Sequence, residues 1–305
     1  MAFPTISVIV TTRDRREFLL AAVRSVLAQE LLPHELLVVD DGAGSGVQEA
    51  LGPLVGAAPL PIRVLPGPRR GPAAARNRGL AAAAAQLIAF LDDDDLWHPS
   101  KLAWQADWLA RRPEIGLLGT SCVRASAPPA LSLPLRARPR RLRRLGLRTL
   151  VRANHLALSS VVIRRECLAD CGEFDESLSL AQDWDMWLRV SARWPAALLP
   201  APLTLHRLHP GQRSRDQAAM RAWEAEVVRR ALARGGPGLP RGLALRRLSW
   251  AHCRLGRAWL RRGDMRSAVR ELKQALTLFP FHPLIWMSLA RCALPNRSLP
   301  GAAPP

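Results

Sequence analysis

Four short apolar runs recur along the first ninety residues: Ile6-Ser7-Val8-Ile9-Val10, Leu36-Leu37-Val38-Val39, Ile62-Arg63-Val64-Leu65 and Leu87-Ile88-Ala89-Phe90-Leu91. Runs of this kind, bounded by polar residues, are the pattern of strands buried on both faces. The intervals between them switch to helical spacing. Glu17–Gln29 repeats Phe18, Leu19, Ala22, Val23, Val26 and Leu27, and Pro72–Ala85 is an Ala-rich helix with Pro72 in its first turn. Pro99–Arg112 clusters Leu102, Trp104, Trp108 and Leu109. Repeated strand–helix units predict an α/β domain on a Rossmann-like, mostly parallel sheet flanked by helices, with ligands at the carboxyl ends of the strands.

Past residue 115 the pattern loosens. Leu117–Val123 and Ser159–Ile163 read as strands, Asp183–Arg193 as a helix, and Gln217–Leu294 as helices only, broken at Gly235-Gly236-Pro237-Gly238-Leu239-Pro240. The predicted organisation is an α/β domain over 1–215, a small all-α region over 216–295 and a Pro/Ala-rich disordered tail over 296–305. The 305 residues, 49% hydrophobic, are enough for one large domain and a smaller one. The longest uncharged apolar stretches, 50–62 and 79–91, are each 13 residues, short of the ~18 a membrane span needs. No basic stretch precedes Ile6–Val10, and Arg13-Asp14-Arg15-Arg16 follows it directly. That order argues against a signal peptide and predicts a cytoplasmic protein.

Charge changes the picture only locally. A net charge of +19 and a pI near 11.6 ordinarily point to nucleic acid or an anionic membrane. Only Lys101 and Lys273 are lysines, however, leaving 42 arginines, and the chain has no Tyr. With abundant Ala, Pro and Leu, this reads as the coding bias of a GC-rich genome, and no nucleic-acid partner is expected. The exception is residues 115–165, which hold 11 Arg and no acid, seven of the arginines lying from Arg136 to Arg148. The five cysteines form no CxxC pair, which argues against a disulfide framework or a zinc ribbon.

The chemistry concentrates at Phe90-Leu91-Asp92-Asp93-Asp94-Asp95-Leu96-Trp97. Four adjacent carboxylates repel one another unless a counter-charge is present. A solvated turn would also accommodate them. Their place at a strand end favours a divalent cation, Mn²⁺ or Mg²⁺, with a phosphate-bearing substrate completing its shell. A second pair, Asp40-Asp41-Gly42, also ends a strand, where an acid can accept hydrogen bonds from a ribose or a base. Neither GxGxxG nor GxxxxGK[ST] is present, which disfavours a nicotinamide or flavin dinucleotide and excludes a P-loop.

Seven segments in series carry a resemblance: ISVIVTTRDR (6–15), ELLVVDDG (35–42), GPAAARNRG (71–79), IAFLDDDDLWHPSK (88–101), SVVIRR (160–165), GEFDE (172–176) and QDWDMWLR (182–189). Together they resemble the family 2 glycosyltransferases, a resemblance covering roughly residues 5–215. It implies the GT-A fold and a hexosyltransferase-type enzyme that inverts the anomeric centre. The implied reaction moves a sugar from a nucleotide-diphosphate sugar, UDP by default, to an acceptor hydroxyl in a metal-dependent single displacement. Cell-surface polysaccharide or glycoconjugate synthesis is the implied setting, with a glycan or lipid-linked acceptor.

Carried onto this chain, the resemblance assigns Thr12, Arg13, Asp14, Asp40, Asp41, Arg76, Asp92 and Asp93 to the nucleotide sugar, with Asp93 in the middle position of the DxD pair Asp92 and Asp94. Thr11 and Arg13 replace residues usual in the family's Pro-Thr-Tyr-Asn. Asp94, Asp92 and His209 are assigned to the metal, His209 lying with His206 in a segment resembling the family's Arg-x-His. Asp183 is the implied catalytic base, with Asp185 its rival; Gln182 replaces the usual acid before it.

Two further patterns bear on partners. Leu255, Gly256, Trp259, Ala268, Leu272, Ala275 and Pro280 resemble the spacing of a tetratricopeptide repeat, and Trp286, Leu289 and Ala290 begin a second copy. A protein partner for this helical region is the expectation. Arg136–Arg148 is expected to meet anionic lipid headgroups at the inner membrane face, or an anionic acceptor. Two other readings stand beside the transferase: a degenerate basic scaffold that binds partners, and a sugar nucleotidyltransferase. The latter calls for a Gly-rich loop with an early Lys, and no Lys precedes Lys101.

Overall fold

The computed structural model describes residues 3–43, 46–126, 139–212, 216–235 and 238–293. The chain divides into two compact units with the boundary after Gln212. The first unit begins as the apolar runs predict. Strand β1 (Ile6–Thr12) leads through α1 (Arg16–Leu27) to β2 (Glu35–Asp40), then α2 (Val47–Ala57) and β3 (Ile62–Pro66), and back through α3 (Pro72–Ala82) to β4 (Leu87–Asp92). These four strands are parallel, in the order β3-β2-β1-β4. The chain winds outward from β1 on one side and resumes on the other, so β1 and β4 flank the switch point where open α/β sheets bind ligands. Register fixes what stands there: Thr12 pairs with Asp40, and Thr11 with Asp92.

The apolar runs are the core. Val8, Val10, Leu36, Val38, Leu87 and Ala89 have no accessible surface, and full burial of a Val, Leu or Ile side chain contributes about 1.5–3 kcal/mol. Gly79 of α3 lets that helix lie directly on β1, because a Cβ there would sit 2.5 Å from Ile9 Cγ2.

Beyond β4 the sheet turns mixed. After β5 (Asp95–Trp97) and α4 (Lys101–Arg111) come β6 (Leu117–Ala125), β7 (Arg143–Arg144), α5 (Leu147–Arg152), β8 (Val162–Arg164), α6 (Arg165–Cys171), α7 (Gln182–Ser191) and β9 (Ala196–Arg207). The order continues β4-β8-β6-β9-β5, with β7 on β9. The strand expected over Ser159–Ile163 is corrected: Leu158–Ser160 form a 3-10 turn and β8 starts only at Val162. Both serine hydroxyls are engaged with backbone, Ser160 Oγ donating to Ala157 O and Ser159 Oγ accepting from Asp92 N–H. Such local bonds favour a turn over a ladder. Within Arg136–Arg148, Arg136 and Arg138 lie outside the described residues.

The second unit is helical throughout its described residues: α8 (Gln217–Arg234), α9 (Arg241–Arg261), α10 (Met265–Leu278) and α11 (Pro283–Ala293). Asp216 and Asp264 cap α8 and α10 by accepting the N–H of Ala219 and Ser267. Of the residues with repeat-like spacing, Gly256 and Leu272 meet between α9 and α10, where a Cβ on Gly256 would stand 2.8 Å from Leu272 Cγ, while Leu255 and Trp259 cluster with Ala218 of α8. The residues of the predicted tail lie outside those described. No described helix is long and apolar enough to cross a membrane.

Candidate active site

The turn from β4 into β5 carries all four consecutive acids, and each carboxylate meets a basic side chain, Arg15 serving two of them. Asp92 Oδ1 accepts from Arg76 Nη2 at 2.9 Å. Asp93 turns inward, taking the Thr12 hydroxyl at 2.7 Å and Arg15 Nη1 at 3.2 Å. Asp94 Oδ2 meets Arg15 Nη1 at 2.7 Å and His209 Nε2 at 2.9 Å. Asp95, buried, lies 3.1 Å from His206 Nδ1. Below them Arg207 donates to the carbonyls of Asp93 and Asp94, with its guanidinium over the Phe18 ring. The repulsion inherent in the sequence is therefore balanced within the protein. Burial pushes Asp93 up to about 6 against the pull of Thr12 and Arg15, and also raises Asp95.

Oxygens of Asp92, Asp94 and Asp95 lie within 4.8 Å of one another. Three hard oxygen donors gathered at one strand end are the donor chemistry that a divalent cation such as Mn²⁺ or Mg²⁺ takes, so the residues fit such an ion. Asp95 joins Asp92 and Asp94 in this set although the family resemblance did not assign it to the metal; His209, which it did assign, lies 2.9 Å from Asp94 Oδ2.

Asp40 and Asp41 separate in role. Asp41 is buried and accepts the N–H groups of Arg69 at 2.6 Å and Gly71 at 3.0 Å, holding the loop between β3 and α3. Asp40 is half-buried and takes Gly42 N–H at 3.0 Å in a tight turn. Asp14, at φ +57°, stands so near that a Cβ on Gly42 would meet its Oδ1 at 2.5 Å and Asp40 Oδ1 at 3.2 Å. Arg13 is exposed, 3.9 Å from Asp14. The Thr12 hydroxyl is committed to Asp93, so what Thr12 offers a ligand is its place at the lip of β1.

Asp183 opens α7 behind Ala181, a non-glycine residue at φ +59°. Asn154 Nδ2 donates to its Oδ2 at 2.8 Å. Burial raises its pKa; the Asn154 bond and the Arg76 charge pull it down, and Asp92 pushes it up. Asp183 is thus within electrostatic range of the acid turn. Asp185 is not available in the same way, being fully buried and ion-paired to Arg189 at 2.9 Å. Gln182 turns its amide to Leu178 O. Asn77 of α3 bonds Phe174 through both N–H and C=O, which fixes the GEFDE segment, and Arg76 lies against the Phe174 ring. Arg76 Nε is buried with no hydrogen-bond partner among the described residues.

Residues 7–166 match the description "Glycosyl transferase family 2". The chain belongs to that family. Among curated relatives, WcaA of Escherichia coli (strain K12), named for colanic acid biosynthesis, is 30% identical over 217 residues, 68% of this chain and 74% of that protein. An uncharacterized glycosyltransferase of Nostoc sp. is 38% identical over 97 residues, 32% of this chain and 30% of the relative, so the match spans less than a third of its length. Among solved structures, residues 1–349 of Staphylococcus aureus TarS in complex with UDP-GlcNAc superpose with TM-score 0.68 at 16% identity, covering 94% of this chain and 88% of the other. The mannosyltransferase PcManGT of Pyrobaculum calidifontis, in complex with GDP-Man and Mn²⁺, gives 0.65 at 20% identity, covering 96% and 81%. These likenesses define the fold as GT-A.

Proposed function

We propose that this chain transfers a sugar from a nucleotide-diphosphate sugar to an acceptor hydroxyl by single displacement with inversion, in the synthesis of a polysaccharide or glycoconjugate. The observation that carries this reading is the meeting of three things at the switch point: the acid turn, the buried Arg76 with an unused Nε, and the raised Asp183. In support, TarS in complex with UDP-GlcNAc and PcManGT in complex with GDP-Man and Mn²⁺ share this fold.

In this reading Asp40 and Asp14 receive the nucleoside at the ends of β2 and β1, while Asp41 only shapes the loop. Arg76 donates to the diphosphate. Asp92, Asp94 and Asp95, with His209 behind Asp94, would hold Mn²⁺ or Mg²⁺, which when bound supplies charge neutralisation for the departing diphosphate. Asp183 takes the proton of the acceptor hydroxyl as its oxygen bonds to the anomeric carbon, and the glycosidic C–O bond to the diphosphate breaks. Arg15 and Arg207 hold the acid turn in shape when the site is empty. In the helical unit, exposed Phe281, Trp286 and Met287 offer a protein partner an apolar surface.

The test is turnover of a panel of UDP-, GDP- and dTDP-sugars by wild type and the Asp94→Ala and Asp183→Asn variants, with product anomeric configuration read by NMR. Inverted product from wild type alone supports the reading. Retained configuration, or full turnover by Asp183→Asn, overturns it.

A further inference from the structure

The helix that carries Asp183 is held by a strap whose exposed side chains are strongly cationic. Trp184 Nε1 donates to Leu150 O at 2.7 Å and Trp187 Nε1 to Leu156 O at 3.1 Å, fixing α5 and the residues after it against α7. Between these two anchors Asn154 reaches Asp183. The same strap carries Arg143 and Arg144 on β7 and Arg148 and Arg152 on α5, all exposed. Arg148 and Arg152 are one turn apart and share a helix face. Arg143 and Arg144 are fixed in place by pairing with Leu198 and Ala197 of β9. Arg143 is close enough to His155, the neighbour of Asn154, for its charge to reinforce burial in lowering that imidazole's pKa.

Coding bias accounts for many arginines but not for missing acids. With 25 acidic residues in 305, about four are expected between residues 115 and 165, and there are none. Elsewhere arginines find carboxylates, as Arg189 and Arg229 do. Arg143, Arg144 and Arg148 make no ion pair among the described residues. Several unneutralised guanidiniums on a fixed backbone beside a proton acceptor form a receptor for a polyanion, and guanidinium matches phosphate oxygens in two-point contacts.

We infer that this strap is a phosphate-binding subsite for the acceptor: Arg143, Arg144 and Arg148 hold a phosphate or diphosphate group of the acceptor while its hydroxyl lies at Asp183. The inference rests on the transferase reading of Asp183. It adds no covalent step, since the phosphate stays on the acceptor and only positions it.

The test uses the full chain saturated with UDP or GDP and Mn²⁺, so that the nucleotide site is filled. Fluorescein-labelled short-chain polyphosphate is titrated by anisotropy, and phosphatidylglycerol vesicles by co-sedimentation. Wild type and the Arg143→Ser/Arg144→Ser/Arg148→Ser variant are compared. Polyphosphate binding is expected to weaken at least about tenfold in the variant and to lose part of its salt dependence. The nucleotide-induced thermal shift stays unchanged. Equal polyphosphate affinity in both proteins overturns the inference. So does binding to vesicles without binding to soluble polyphosphate, which would make the patch a membrane contact. Failure of the donor reading shows separately, as a missing nucleotide shift in wild type.

Discussion

A carboxylate that accepts a proton from a hydroxyl near neutral pH works better when its own pKa is lifted. Asp183 is lifted by burial, and Asn154 keeps it from being silenced. Asp183→Asn is expected to lower the transfer rate about 10²–10⁴-fold without a fall in Tm. In wild type the rate should decline as pH falls through a value above the ordinary 3.8 of Asp, as Asp183 takes up its proton. The two acids after β2 are separable by experiment. Asp41→Ala leaves two loop N–H groups without their acceptor and should cost about 1–3 kcal/mol in denaturant titration, whereas Asp40→Ala, which frees Gly42 N–H, should above all raise KM for the donor. Lys101 is a different kind of residue: fully buried, bonded to Gln105 Oε1 and lying over the Trp97 ring, it is pushed by burial down to about 7. The unfolded chain binds that proton more tightly, so stability rises with pH from about 7 towards 10.5, by up to about 1.4 kcal/mol per unit. Lys101→Met should lose that rise; an unchanged pH dependence of the denaturation midpoint would refute the assignment.

Elements buried on both faces were the legible ones. β1, β2 and β4 announce themselves because a parallel strand covered on both sides has no polar alternation to blur it. β9, the longest strand, was hidden by Pro200 and Pro202, residues that argue against a central strand. The sheet accommodates them at register shifts around Ser121, where β6 pairs jump from Leu199 to Pro202 and then to Thr204. β5 was hidden inside the acid run. The acid run was legible because its chemistry is local, whereas Asp183 stood out only through the family resemblance. The site was not legible where partners come from far along the chain: Arg207 reaches Asp94 across 113 residues and Asn154 reaches Asp183 across 29. At this scale α3 is the element to perturb. Gly79→Val drives a side chain into Ile9, lifts the helix that carries Arg76, and should cost about 1–3 kcal/mol together with loss of donor turnover, read by denaturation and initial rates.

For the whole molecule, family membership and the GT-A fold set the frame, and the charge of +19 governs its surroundings more than its chemistry. Polyanions will adhere at low salt, so binding experiments need physiological ionic strength to report a site rather than a field. In the proposed reaction the acids at the end of β4 bind a nucleotide diphosphate by way of a divalent cation. Calorimetric titration of UDP and GDP, with Mn²⁺ and with EDTA, into wild type and Asp94→Ala tests it most directly. Wild type with Mn²⁺ should bind one of the nucleotides and lose that binding both in EDTA and in the variant. Binding of equal strength in EDTA, or none under any condition, would contradict it.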